Sequence, residues 1–297
     1  VSGASLTRYA WLSIGAAVVT MALKTAAYFV TGSVGLLSDA AESLVNLVAA
    51  VIALVALRAA EKPADHDHAF GHHKAEYFAS GAEGAMILFA AAAILFAAVP
   101  RLWAPRAIEG VGLGLAISTL ASLVNLVVGR TLLAAGKRHR SITLEADGHH
   151  LMTDVWTSVG VIVGVALVAL TGLPILDPLV AIAVALQIVV TAWRLLARSG
   201  MGLMDASLPK EDLAVIESVL TRFSEQGARW HALKTRAAGS RRFVSVHVLV
   251  PGGWTVERGH DLARALEEEI ERALEKTTVF THLEPLDDPR ASVPPAS

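Results

Sequence analysis

The 297-residue chain contains no cysteine. Disulfides and thiolate metal ligands are therefore excluded, and any metal must be held by nitrogen and oxygen. Charge is scarce as well. Asp, Glu, Lys and Arg make up 18% of the residues, where a soluble domain has about a quarter. The net charge of −2 provides no basic field, so nucleic acid is not an expected partner. What is abundant is apolar: 54% of residues are hydrophobic and the mean hydropathy is +0.54. That composition belongs to a lipid bilayer. Eleven histidines are present and they are unevenly placed. The first apolar segment holds Lys24 and is followed by more apolar segments rather than a processed soluble domain. No cleavable signal peptide is expected.

Six apolar stretches reach the roughly 20 residues that a helix needs to cross a bilayer. They are residues 9–30, 34–58, 77–99, 111–134, 143–170 and 177–197. One set of their ends carries Arg8, Arg58, Lys62, Lys74, Arg130, Lys137, Arg138, Arg140, Arg194 and Arg198, while the opposite loops carry Arg101 and Arg106. The excess of basic residues places both termini in the cytoplasm. Beyond Arg198 charges become dense and no apolar run of span length recurs. The expected division is a six-helix transmembrane domain over 1–204, a cytoplasmic domain over 205–290 and a disordered tail over 291–297. In the second domain, residues 209–223 show helical spacing of Leu213, Ile216, Val219 and Leu220. Residues 229–236 and 241–250 read as strands joined by a tight turn at Gly239. A charged amphipathic helix over 256–274 and a short strand over 277–283 complete an αββαβ order.

The second span contains Asp39, Glu42 and Asn46, and the fifth contains Asp147, His150 and Asp154. Ionisable groups inside a bilayer are costly and mark a function by default. Glu42 and Asn46 are four residues apart, as are His150 and Asp154, so each pair shares a helix face. Counted from opposite entry sides, all four lie roughly 10–18 Å deep in a core about 30 Å thick. Two carboxylates, an amide oxygen and an imidazole form a set that suits tetrahedral zinc. The competing reading is a polar network that only fastens helices together. Lys24, near the outer end of the first span, is expected to reach the interface with its ammonium group. Asp39 lies one turn outward from Glu42. It is either a water-exposed acid near the helix end or a replacement for the charge that Asn46 lacks.

The loop between the second and third spans reads Asp65-His66-Asp67-His68-Ala69-Phe70-Gly71-His72-His73-Lys74. A histidine-rich tract of this kind suggests metal binding, against the plain alternative of a solvated polar loop.

Taken in order, these segments resemble the cation diffusion facilitator family. The resemblance is carried by Thr31-Gly32-Ser33-Val34, Glu42-Ser43-Leu44-Val45-Asn46, Phe70-Gly71-His72 with Lys74-Ala75-Glu76, and His150-x-x-x-Asp154. It continues into the tail with Leu203-Met204-Asp205 and Leu233-Lys234-Thr235-Arg236. The pattern is most similar to bacterial zinc and iron efflux members. It implies a homodimeric metal/proton antiporter of the bacterial cytoplasmic membrane with a metallochaperone-like tail. It also implies a transport site at Glu42, Asn46, His150 and Asp154, and a loop site at Asp65, His68 and His72. A cytoplasmic site is implied at His231, His247, His260, His282 and Glu284. A charge interlock beneath the membrane is implied at Lys74 and Asp205. The sequence departs from the family where Asn46 replaces the common acid. With a divalent ion and neutral His150, the site sums to zero rather than −1.

The expected function is export of a divalent transition metal, Zn2+ first, with Fe2+, Co2+, Cd2+ and Mn2+ as alternatives for an N/O site. An enzyme is not expected, because an intramembrane metalloprotease needs His-Glu-x-x-His and no such string occurs. The alternative function is a membrane-anchored metal sensor whose tail binds the ion.

Overall fold

The computed structural model describes residues 6–31, 34–103, 113–173, 175–225 and 227–287. Six long helices come first: α1 (Thr7–Thr31), α2 (Val34–Ala60), α3 (Ala75–Ala98), α4 (Leu113–His139), α5 (Ile142–Thr171) and α6 (Leu176–Leu203). Then come α7 (Lys210–Ser224), β1 (Arg229–Ala238), β2 (Arg241–Val250), α8 (Val256–Ala273) and β3 (Thr277–Pro285). This is a helical membrane domain followed by a small αββαβ domain, with compact units dividing between Gly200 and Met201. The last ten residues, expected to include a disordered tail, lie outside the described set.

Among the described residues, four stretches are long and apolar enough by themselves to cross a bilayer: Thr7–Ala26, Ala75–Leu102, Thr119–His139 and Pro178–Leu203. Helices α2 and α5 are of matching length and carry Asp39, Glu42, Asp147 and Asp154. Helix α4 runs to His139 and α6 to Leu203, several residues past their hydropathy limits. Hydropathy marks where lipid ends, whereas the helix continues through Lys137 and Arg138, basic residues favoured at a C-terminus. Phe29, Phe89, Phe96, Leu170 and Trp193 point outward and are mostly exposed, as lipid-facing side chains would be.

Helix α5 is the axis of the helical unit, packed against α1, α2, α3 and α4. Ser141 caps its start by accepting the Leu144 N–H at 3.4 Å, and Gly172 ends it at φ +71°. Its approach to α4 depends on missing side chains. A Cβ on Gly136 would lie 2.8 Å from the Glu145 backbone nitrogen, and one on Gly148 would lie 3.0 Å from that of Leu133. Helix α6 joins through Ser199, whose hydroxyl donates to the Tyr77 carbonyl and meets Ser80 Oγ at 3.1 Å. Lys24 is buried, 7% exposed, rather than extended to an interface as the sequence suggested.

The second unit is a three-stranded sheet, order β1-β2-β3, with β1 antiparallel and β3 parallel to β2. Val244, Val246, Val248 and Val250 alternate onto its buried face. Ile216, Val219, Leu220 and Phe223 of α7 cover them together with Leu266 and Ile270 of α8. Gly239 makes the β1–β2 turn at φ +55°, a conformation open to glycine without steric cost. The opposite sheet face carries the alternate residues of β2, among them Ser245 and His247.

Candidate metal centres

In the helical unit, Asn46 of α2 sits between His150 and Asp154 of α5. The His150 Nε2–H donates to Asn46 Oδ1 at 2.6 Å, and the Asn46 amide donates to Asp154 Oδ2. All three are at most 7% exposed. The spacing of four residues along α5 makes this possible, because both side chains leave the helix on one face. With Nε2 protonated, His150 Nδ1 keeps its lone pair, and that buried atom has no partner among the described residues. The side chains of Glu42 and Asp39 lie outside the described residues, although both positions belong to α2.

A fourth participant escaped the sequence reading. Asn125 of α4 donates from Nδ2 to Asp154 Oδ2 at 3.0 Å, and its buried Oδ1 has no partner among the described residues. The signal was available: Asn125 is an amide in the middle of an apolar span. It carries no charge and has no paired ligand four residues away. One turn along, Ser122 donates to Ser158 at 2.6 Å and ties α4 to α5.

The loop between α2 and α3 folds around Asp65. Its Oδ1 accepts the backbone N–H of His68 at 2.7 Å and of Asp67 at 3.1 Å. His68 Nδ1 lies 3.2 Å from Oδ1, and His72 Nε2 lies 3.3 Å from Oδ2. Gly71 at φ +80° turns the chain so that both rings face one carboxylate, 4.2 Å apart between centroids. The His68 N–H bond, with the two imidazoles, holds the Asp65 carboxyl below its usual range. The ligand atoms of Asp65, His68 and His72 converge tightly enough for one ion.

In the tail, strand register produces the third group. His231 of β1 stands opposite His247 of β2, and His247 stands opposite His282 of β3. The three imidazoles therefore form one row across the sheet. A bulge after His231, with Ala232 at φ +50°, keeps His231 in that row. Glu284 lies two residues beyond His282 on the same face. His231 Nε2 donates to its Oε2 and His247 Nδ1 to its Oε1, both at 2.8 Å. Burial pushes the Glu284 carboxyl up, but these hydrogen bonds and the imidazole charges outweigh it and leave it below its usual range. His282 Nε2 is 3.7 Å from Oε1. His231, His247 and Glu284 have ligand atoms within 4.8 Å of one another, and these N and O donors fit a zinc-type ion. His260 is exposed on α8 and stands outside this group.

The remaining expected pair, Lys74 and Asp205, falls on the two separate units. Within its own unit Asp205 meets Arg236, whose Nη1 lies 3.3 Å from Oδ1. The interlock had been expected from resemblance alone, and Arg236 is an ion partner that the resemblance did not suggest.

Similarity to known proteins covers both units. Residues 10–204 match the cation efflux transmembrane domain, and residues 208–286 match the cytoplasmic domain of cation efflux proteins. A transporter of Synechocystis sp., sll1263, described as uncharacterized, is 53% identical over 95% of this chain and 91% of its own. The cation-efflux pump FieF of Serratia proteamaculans is 28% identical over 90% of this chain and 88% of its own. The solved Zn form of CzrB is 34% identical, covering 28% of this chain and 93% of that one, with a TM-score of 0.27. The match of the transmembrane domain, continued by that of the cytoplasmic domain, makes this chain a member of the cation diffusion facilitator family of cation-efflux proteins.

Proposed function

We propose that the chain exports a divalent transition metal, zinc first, from the cytoplasm in exchange for protons, and that it works as a homodimer. The observation that carries this reading is the buried Asn46–His150–Asp154 group on two facing helices. It is a set of N and O donors at the depth where transporters bind their cargo. Glu42, four residues before Asn46, supplies the second carboxylate and neutralises a divalent ion together with Asp154.

The ion is cargo in this scheme. Before it arrives, the Asn46 amide donates to Asp154 while its oxygen accepts from His150. Turning that amide presents Oδ1 to the ion and frees the Asp154 oxygen. Asn125 keeps its hydrogen bond and orients the carboxylate from behind, as outer-shell partners do. Binding requires deprotonated ligands, so metal and protons compete for the same atoms. On the outer side, protons return and displace the ion. Rocking of the α2–α5 pair against its neighbours alternates the access.

The loop group at Asp65, His68 and His72 and the tail group at His231, His247, His282 and Glu284 serve as further metal sites. The tail site favours association of two tails, which supports the dimer. His247→Ala in the full chain is expected to weaken tail zinc by more than the roughly 10–100-fold that loss of an outer-shell partner costs. Competition with a chromophoric chelator measures it, and an unchanged zinc count would remove the tail from the scheme. Family members are transporters rather than enzymes. A membrane-anchored sensor would need the tail group but not the buried group in the helices. The deciding experiment is metal-resolved uptake into proteoliposomes with and without an imposed pH gradient. Export requires saturable zinc flux driven by the gradient; flux indifferent to protons would indicate a channel, and none would favour the sensor.

A further inference from the structure

Two carboxyl groups of the helical unit belong to none of these sites. Glu83 of α3 is 0% exposed, and neither of its carboxyl oxygens has a hydrogen-bond partner among the described residues. Asp147 of α5 is 1% exposed; Ser13 of α1 donates to its Oδ1 at 2.9 Å, and its Oδ2 has no partner among the described residues. Asp147 is near enough to Glu83 to act on it as a like charge, with no hydrogen bond between them. The register of α3 against α5 agrees. Ser141 Oγ donates to the Glu76 carboxylate, and Thr143 Oγ1 donates to the Glu76 carbonyl at 3.2 Å. Seven residues on from Glu76 and six on from Ser141, Glu83 and Asp147 reach the same level.

The charges around the pair are engaged elsewhere. On α3, Glu76 is held by Ser141. On α5 and α6, Glu145 is paired with Arg198. On α2, Arg58 is exposed over the Trp11 ring at 5.8 Å, and Asp39 and Glu42 have side chains outside the described residues. Lys24 of α1 lies three turns beyond Ser13. His150 follows Asp147 by one turn of α5.

Two dehydrated carboxylates, Glu83 with no donor among the described residues and Asp147 with the Ser13 hydroxyl, repel each other and are strongly disfavoured. One proton on Glu83 removes both the repulsion and the uncompensated charge. A metal would ask for more ligands. Among the described residues the pair belongs to no group of three His, Asp or Glu side chains able to hold an ion. Asp147, His150 and Asp154 follow one another at i, i+3 and i+7 and so share a face of α5. We propose that Glu83 and Asp147 form a separate intramembrane proton site, one turn of α5 from the cargo group, that takes up and releases one proton per transport cycle. The site itself stands on its own geometry; only its place in a cycle rests on the export reading.

Infrared difference spectra of the full chain in liposomes, taken across an acid–base step, test this. The wild type is expected to show the carbonyl stretch of a protonated carboxyl, shifted in D2O. Glu83→Gln and Asp147→Asn, which preserve shape, should each lose it. No such band in the wild type, or a band unchanged in both variants, overturns the proposal. Zinc titration of the same samples checks that the variants are folded. It should give equal stoichiometry, and an equivalent lost in Glu83→Gln would make the pair a metal site and overturn the proposal as well. In flux assays the proton-to-metal ratio should fall in Glu83→Gln, and an unaltered ratio overturns the role. A wild type that shows the band but moves no metal would sink the export reading and leave the proton site standing.

Discussion

His150→Ala combined with Asp154→Ala is expected to abolish zinc flux in proteoliposomes. The double variant removes an imidazole and a carboxylate from one face of α5 and leaves Asn46 with neither of its partners. Loss of an outer-shell partner alone costs roughly 10–100-fold in metal affinity, so loss of two direct ligands should exceed that. Asn125→Ala separates the two levels. It removes only the hydrogen bond from α4 to Asp154 Oδ2 and should fall within the outer-shell range. The measurement is the initial rate of zinc uptake at several zinc concentrations, with protein orientation controlled. Flux that persisted in the double variant would refute a cargo site on α5.

Asn46→Asp is expected to act in the opposite direction on affinity. The present side chain donates to Asp154 and accepts from His150. An aspartate there cannot donate to Asp154 unless it is protonated, so the metal-free site would hold an extra proton between two carboxylates. Binding a divalent ion would then release that proton. Zinc affinity should rise by roughly tenfold or more above neutral pH, because a unit charge 4 Å away is worth about 4 kcal/mol at an effective dielectric of 20 before desolvation is subtracted. The gain should shrink as pH falls, since the added carboxyl must lose a proton to bind metal. Zinc titrations at several pH values, with released protons counted by a dye, measure both effects. Equal affinity and equal proton release in the two proteins would mean that position 46 does not touch the ion.

These two predictions start from residues that the sequence singled out, yet their content comes from contacts. The depth of each residue along its helix could be counted, because helical rise is constant and lipid thickness fixes the scale. Which way Asn46 turns its amide could not be counted, because it depends on neighbours from other elements. Asn125 and Glu83 illustrate the same divide. Each sits in an apolar span and could have been noticed as a polar residue out of place. Neither announces a partner in sequence, since Asp154 and Asp147 lie on a helix that only packing brings near. In the tail, period-two alternation placed His247 on the outward face of β2. The row of His231, His247 and His282 required the register of three strands and a bulge at Ala232. His260, named by likeness to a family position, is exposed on α8 and is not among the ligand atoms that converge on Glu284.

The sequence by itself determined that this is a membrane protein of six helices with an αββαβ tail. It also determined that any metal must meet nitrogen and oxygen. Those properties follow from composition and periodicity, which are local and summed along the chain. The tertiary structure decided which donors share a site. It put Asn125 behind Asp154, aimed Glu284 at two imidazoles, and buried Glu83 without a donor among the described residues and Asp147 with the Ser13 hydroxyl. Contacts between distant residues depend on how whole helices and strands pack. A single buried carboxyl changes its chemistry according to what the neighbouring element presents to it.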